Sequence, residues 1–263
     1  MTTLSDLIQF AEKRWPTSDS AEWDNPGLAI GSSSQRVSRV LMSVDVTSQI
    51  VEEATLGRFD LLFTHHPFIF RGVKSLDFQS AKGAIVAQCI RNNLALYSAH
   101  TNADFCANGV SETLAMALGL SDLRSLTATG EGVVGTIPET TLLDFSRMAG
   151  RVLPSCAQGI LVQGEPDRVI STVGLVAGAG DSYLDQVSGV DLFITSDLRH
   201  HPAGDFRELS ELSSGPALMN VPHFSAEWPW LNQAAAELKA QFPSVEFVVS
   251  EINTDPWNFA VMQ

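Results

Sequence analysis

The sequence predicts an α/β layered fold built from two similar halves, and three observations carry that expectation. Short apolar strand patterns alternate with helical ones along the chain. The pattern around Phe59–His66 recurs around Val190–Asp197. At 263 residues the chain is long enough for one large core or two smaller ones.

In order along the chain, Leu4, Leu7, Ile8, Ala11 and Trp15 recur at helical spacing and predict an opening amphipathic helix that Pro16 stops. Trp23-Asp24-Asn25-Pro26-Gly27-Leu28 spells a tight turn. Asp24 and Asn25 are open to a structural reading or a substrate-facing one, since loops often carry function. Val40 to Val44 reads as a strand, and Thr47 caps a helix through Ile50, Val51 and Ala54 that Gly57 ends.

Phe59 to Phe63 is an apolar run too short for a helix and bounded by Gly57 and Pro67, which predicts a buried strand. His65 and His66 stand at its C-terminal end, where α/β proteins place ligands. Pro67 holds His66 away from helical geometry. Neighbouring residues of a flat strand face opposite ways, so both imidazoles serve one site only at the strand tip; two adjacent metal ions would satisfy this.

A helix over Gly83–Asn93 and a strand over Leu94–Ala99 lead to His100-Thr101-Asn102-Ala103-Asp104, followed by a helix over Gly109–Leu118. This alternation implies a largely parallel sheet. Beyond the polar stretch Thr127–Gly132, strands are expected over Val133–Ile137, Gly159–Gln163 and Thr172–Val176, with a helix over Leu142–Ala149. Gly178-Ala179-Gly180-Asp181 precedes a short helix but lacks the lysine of a phosphate loop and the full dinucleotide spacing, so it reads as a plain turn.

The repeat can be laid out residue by residue. Phe59 to His66 falls over Val190 to Asp197, and Ala95 to His100 resembles Ala217 to Val221 with His223 just beyond. His100-x-x-x-Asp104 then lies opposite His223-x-x-x-Glu227. Two half-molecules, roughly 39–119 and 169–242, would share one strand–helix plan, with their strand tips converging on one crevice. His65 and His66 lie opposite Ser196 and Asp197, so that crevice would be asymmetric. The expected division is 1–128 and 129–263, with the C-terminal segment completing the first half.

The candidate metal ligands are His65, His66, Asp104, His223 and Glu227; imidazole and carboxylate suit zinc, iron or manganese. Each alone has a plain structural reading: a hydrogen-bonded strand-end histidine, an aspartate cap, a solvated first-turn acid. His223 and Glu227 are one helical turn apart if helix begins that early, but Pro229 fits best in a first turn, which would leave Glu227 beside the helix start. His100 is read as a supporting or structural residue. Ser196-Asp197-Leu198-Arg199-His200-His201-Pro202 is a second His-His-Pro stretch, read either as a solvated polar loop or as a source of acid/base groups, with Asp197 and His201 the candidates.

Composition narrows the function classes. Thirty acidic residues against 16 basic ones leave a net charge of -14, which disfavours nucleic acid and anionic membranes as partners. The opening Met1-Thr2-Thr3-Leu4 has no leader pattern, and no apolar run reaches membrane-spanning length. Cys89, Cys106 and Cys156 have no paired spacing and read as buried thiols of a cytoplasmic protein, Cys106 as a core residue rather than a ligand.

Together, Trp23 to Leu28, Thr64-His65-His66-Pro67, His100 to Asp104, Ile194-Thr195-Ser196-Asp197 and His223 through Glu227 resemble the Nif-three-like dinuclear metal-centre family, the GTP cyclohydrolase 1 type 2 homologues. The resemblance implies two similar interlocked α/β halves and two divalent metal ions per chain, held by His65, His66, Asp104, His223 and a bridging Glu227. It also implies toroidal homohexamers, trimers of dimers with the metal sites facing a central cavity. Larger members carry an inserted middle domain, for which this chain is too short. Pro222 and Ser196 stand where the family has glycines, which bears on substrate geometry more than on metal binding.

The activity implied is metal-dependent hydrolysis of a purine nucleotide, with GTP ring opening the named reaction. The alternatives are two-metal hydrolysis of another phosphate ester or ring amide, or a non-catalytic metal-binding assembly that engages a protein partner.

Overall fold

The structure is a computed structural model and describes residues 1–104 and 106–261. In chain order its elements are α1 (Leu4–Arg14), β1 (Gly27–Ile30), β2 (Arg39–Ser43), α2 (Ser48–Leu56), β3 (Leu61–Thr64), α3 (Ala81–Arg91) and β4 (Ala95–Ser98). There follow α4 (Thr101–Asp104), α5 (Val110–Ala117), β5 (Ser121–Ser125), β6 (Val133–Thr141), α6 (Leu142–Val152), β7 (Leu161–Gln163) and β8 (Val169–Ala179). The chain ends with β9 (Leu192–Ser196), α7 (His200–Ser213), β10 (Ala217–Asn220), α8 (His223–Gln241) and β11 (Glu246–Val249).

Two compact units result: Met1–Cys106 with Leu231–Thr254, and Ala107–Trp230 with the segment from Asp255. Each contains one sheet.

In the first unit the strand order is β1-β4-β3-β2-β11. β11, β2, β3 and β4 run parallel, and β1 closes the β4 edge antiparallel. Alternate strand residues face opposite sides of a sheet. Leu41, Leu62 and Leu96 pack on Ile50, Val51 and Ala54 of α2 and on Ile85, Val86 and Cys89 of α3. Phe63 stacks on Tyr97 and meets Trp15, with ring centroids 5.4 and 5.7 Å apart. Leu4, Leu7 and Ala11 of α1 and Leu238 of α8 surround the same apolar space. Both sheet faces are therefore covered, which is why Leu61-Leu62-Phe63 reads as an unbroken apolar run rather than an alternating one.

Local chemistry sets the helix starts. Thr3 accepts from Asp6 N while the Asp6 carboxylate accepts from Thr3 N, a capping box that begins α1. Thr47, Ser80 and Thr141 each accept a backbone N–H at the starts of α2, α3 and α6.

In the second unit the order is β5-β6-β8-β9-β10-β7. Only β8, β9 and β10 run parallel; β5, β6 and β7 pair antiparallel. The largely parallel sheet expected from the strand–helix alternation of the first half is the first sheet, whereas this one is mixed. Thr127–Gly132 closes a hairpin, with Leu126 N donating to Gly132 O and Thr127 N to Glu131 O, so β5 and β6 are adjacent and antiparallel. The core of this unit gathers Val176, Leu184, Phe193, Phe206 and Leu218.

The central strands of the two sheets are anchored alike. Asp60, just before β3, takes Ser38 N, Ser38 Oγ and Arg39 N on Oδ2. Asp191, just before β9, takes Ser171 N, Ser171 Oγ and Thr172 N on Oδ2. Each carboxylate thereby clamps the start of its own strand to the neighbouring strand.

Two further expectations change. α8 begins at His223 and carries Pro229 inside it, so Glu227 is a helical residue and not one beside the helix start. Phe224, Ala226, Trp230 and Leu231 are buried around that proline, and this apolar burial offsets the backbone bond that a helical proline forgoes. Of the three cysteines only Cys89 is buried; Cys106 and Cys156 are partly exposed. Among the described residues no helix is long and apolar enough to cross a membrane.

Candidate metal centre

In the first unit the β3 tip delivers the paired histidines. His65 N donates to Ser43 O and His66 N to Val44 O, continuing the β3–β2 ladder past the strand end. The β4 tip delivers His100, and Ala99 N donates to Thr64 O beside it. Parallel strands in register therefore end at one level. A ring nitrogen from each of His65, His66 and His100 lies within 4.8 Å of the others. Asp104, at the end of α4, places Oδ1 3.6 Å from His65 Nε2.

Each of these rings is held through its Nδ1. His65 Nδ1 donates to Ala99 O at 2.9 Å, His66 Nδ1 to Asp45 Oδ1 at 2.7 Å, and His100 Nδ1 to Asp24 Oδ1 at 2.8 Å. A carbonyl or carboxylate only accepts, so Nδ1 carries the hydrogen in every case. In the neutral ring Nε2 then bears the lone pair, the arrangement found where histidine binds a metal.

Asp24 is held further: besides His100 it accepts from Thr101 N and Thr101 Oγ1 on Oδ2. Burial pushes its pKa up, but the bonds from His100 and Thr101 outweigh that and hold it at about 2.

The second unit carries a related arrangement. Asp197 follows β9, and its Oδ2 accepts from His223 Nδ1 at 2.7 Å. His223 Nε2 lies 2.8 Å from Glu227 Oε1, one turn along α8. Burial would lower the His223 pKa, but the carboxylates of Glu227 and Asp197 more than reverse this and raise it well above 6.5. Asp197 itself has φ 54°, the left-handed region that aspartate tolerates better than most side chains.

Glu227 is buried at the end of β8, against Gly178. Gly178 has φ +74°, and a Cβ there would come within 2.6 Å of Glu227 Oε1. This glycine leaves room for a carboxylate, a role its sequence context does not announce. His201 lies exposed in the first turn of α7 beside His200, with ring centroids 5.3 Å apart.

All five expected ligands thus sit at strand tips or within about one helical turn of the chain that follows them. Tethered imidazoles with carboxylates at hand are a donor set that fits a divalent cation. Asp45 was missed from the sequence; a lone carboxylate after a strand has no spacing signal to mark it.

A family model described as Duf34/NIF3 (NGG1p interacting factor 3) matches residues 2–256. A Streptomyces coelicolor protein named "GTP cyclohydrolase 1 type 2 homolog" is 38% identical over 98% of this chain and 94% of its own length. A Drosophila melanogaster "NIF3-like protein 1" is 28% identical over 96% of this chain and 88% of its own. Among solved structures, a Staphylococcus aureus hypothetical protein matches with a TM-score of 0.88 and 26% identity, covering 98% of this chain and 99% of that one. A Bacillus cereus protein related to NIF3 shares the fold at a TM-score of 0.89 and 22% identity, with 98% and 99% covered. With a family model spanning nearly its full length and a relative above 30% identity, the chain belongs to the Duf34/NIF3 family.

Proposed function

We propose that His65, His66, Asp104, His223 and Glu227 together hold two divalent metal ions, and that the protein is a metal-dependent hydrolase of a purine nucleotide. The observation that carries this reading is the common tether: His65, His66 and His223 each donate Nδ1–H to an oxygen. Such bonds fix the tautomer and orient the ring for metal binding. Relatives named as GTP cyclohydrolase 1 type 2 homologues support the substrate class.

Bound divalent ions would supply Lewis acidity and a water made acidic enough to attack near neutral pH. Asp45 and Asp197 position His66 and His223. His100, oriented by Asp24, holds or passes a proton at Nε2 beside the cluster. Of the two acid/base candidates, Asp197 is assigned to His223, leaving His201 to contact substrate or carry a proton.

The same reading includes an internal duplication, supported by the matching anchors of Asp60 and Asp191. It also includes assembly into a hexamer, supported by the exposed Trp257, Phe259 and Val261.

Metal analysis of freshly purified protein, with His66→Ala and Glu227→Ala alongside and a GTP turnover assay, tests the proposal. About two ions per chain, lost in the variants, with metal-dependent turnover, is the expected result. Ions without turnover would remove the reaction and keep the site. No stoichiometric metal in any preparation would sink both.

A further inference from the structure

The loops beside the histidine cluster carry two large aromatic rings that the core does not use. Trp23 is 61% exposed and Phe70 42% exposed. Their ring centroids are 5.6 Å apart. Each also lies edge-on to His100, at 6.0 and 6.1 Å with interplanar angles of 74° and 72°. The pair is therefore continuous with the imidazole cluster on one side and open on the other.

Water-exposed aromatic surface is costly to maintain, and these rings sit on backbone that is tied down. Asp24 accepts from His100 and Thr101 directly after Trp23. Ala21 N donates to Thr101 Oγ1 at 2.9 Å, and Asn25 Nδ2 donates to Ile69 O at 2.8 Å, joining the Trp23 loop to the Phe70 loop. Polar bonds thus hold both loops so that the rings stay outside the core. A preorganised, exposed aromatic pair beside polar groups suits a ligand that is flat and apolar on its face and polar at its edge.

We propose that Trp23 and Phe70 are a stacking platform for the planar heteroaromatic ring of the substrate, placing its edge at the His65–His66–His100 cluster. This rests on the nucleotide reading above and adds the residues that would select for the base. Charge favours a base carrying an anionic substituent. The exposed Phe70-Arg71-Gly72-Val73-Lys74 stretch has two cations and no carboxylate, in a chain whose net charge is -14.

The test is equilibrium binding of GTP and, separately, of inorganic triphosphate to the full chain after metal loading. It uses the unaltered protein, Trp23→Ala, Trp23→Phe and Phe70→Ala, with metal content measured on each. The expected result is that both alanine variants bind GTP about tenfold or more weakly, as loss of a base–aromatic contact does. Trp23→Phe should recover most of the affinity, while triphosphate binding and metal content stay unchanged.

Equal GTP affinity in all four proteins, triphosphate binding as tight as GTP, or no GTP binding would each overturn the platform. The outcomes separate the two readings. Ring-dependent GTP binding without stoichiometric metal keeps the platform and removes the metal centre; intact metal with binding indifferent to Trp23 and Phe70 does the reverse.

Discussion

His66 Nδ1 lies 2.7 Å from Asp45 Oδ1, and Asp45 Oδ2 in turn accepts from the Thr254 hydroxyl. The ring is thus oriented by a carboxylate that is itself held. Asp45→Ala leaves His66 in place but unties it. The metal affinity of the His66 site is expected to fall about 10- to 100-fold, the usual cost of losing such a partner. Competition against a chromophoric chelator measures it. Unchanged affinity would show that the tether does not serve a metal.

Gly178 provides a sharper test of how Glu227 is housed. Alanine there must adopt φ +74° and bring its Cβ toward Glu227 Oε1, whereas Gly189, at φ +68°, has nothing within 4 Å. The backbone penalty of about 1–2 kcal/mol is common to both substitutions. Urea denaturation should find Gly178→Ala less stable than Gly189→Ala, and only Gly178→Ala should also lose metal. Equal losses would mean that Glu227 moves aside at no cost.

Acid sensitivity follows from Asp24. Its folded pKa, about 2, is below its ordinary value near 3.8. The ionised form is the one the fold prefers, so its contribution is complete above about pH 4 and is lost as pH falls through 2. Asp24→Asn should therefore be less stable than the unaltered protein at pH 5–7, with the gap narrowing below pH 4. A gap that does not change with pH would assign the loss to hydrogen bonding alone.

The β9 core gives a plain stability prediction. Phe193 is fully buried among Val176, Leu184, Phe206 and Leu218. Phe193→Ala is expected to cost about 3–5 kcal/mol in chemical denaturation. A loss below about 1 kcal/mol would mean that this core is loosely packed.

Assembly is checked by light scattering. A mass near six chains is expected, and Trp257→Ser with Phe259→Ser should shift it toward smaller species. A monomer at every concentration would refute the hexamer.

Much of this was legible along the chain. Apolar runs and cap residues mark β2, β3, β4 and the helices α1 to α3, because buried strands and amphipathic helices leave periodic traces. The edge strands β1, β5 and β11 left little trace. β5, Ser121-Asp122-Leu123-Arg124-Ser125, is mostly exposed and pairs on one side only, so its side chains carry no burial pattern.

Residue type and spacing alone marked His65, His66, Asp104, His223 and Glu227 as candidate ligands, since few other side chains bind divalent cations. The tertiary structure decided which oxygen holds each ring, and hence which ring nitrogen carries the hydrogen. It paired His66 with Asp45 across 21 residues, His223 with Asp197 across 26 and His100 with Asp24 across 76. A hydrogen bond depends on where strands end in space, and no sequence interval encodes that.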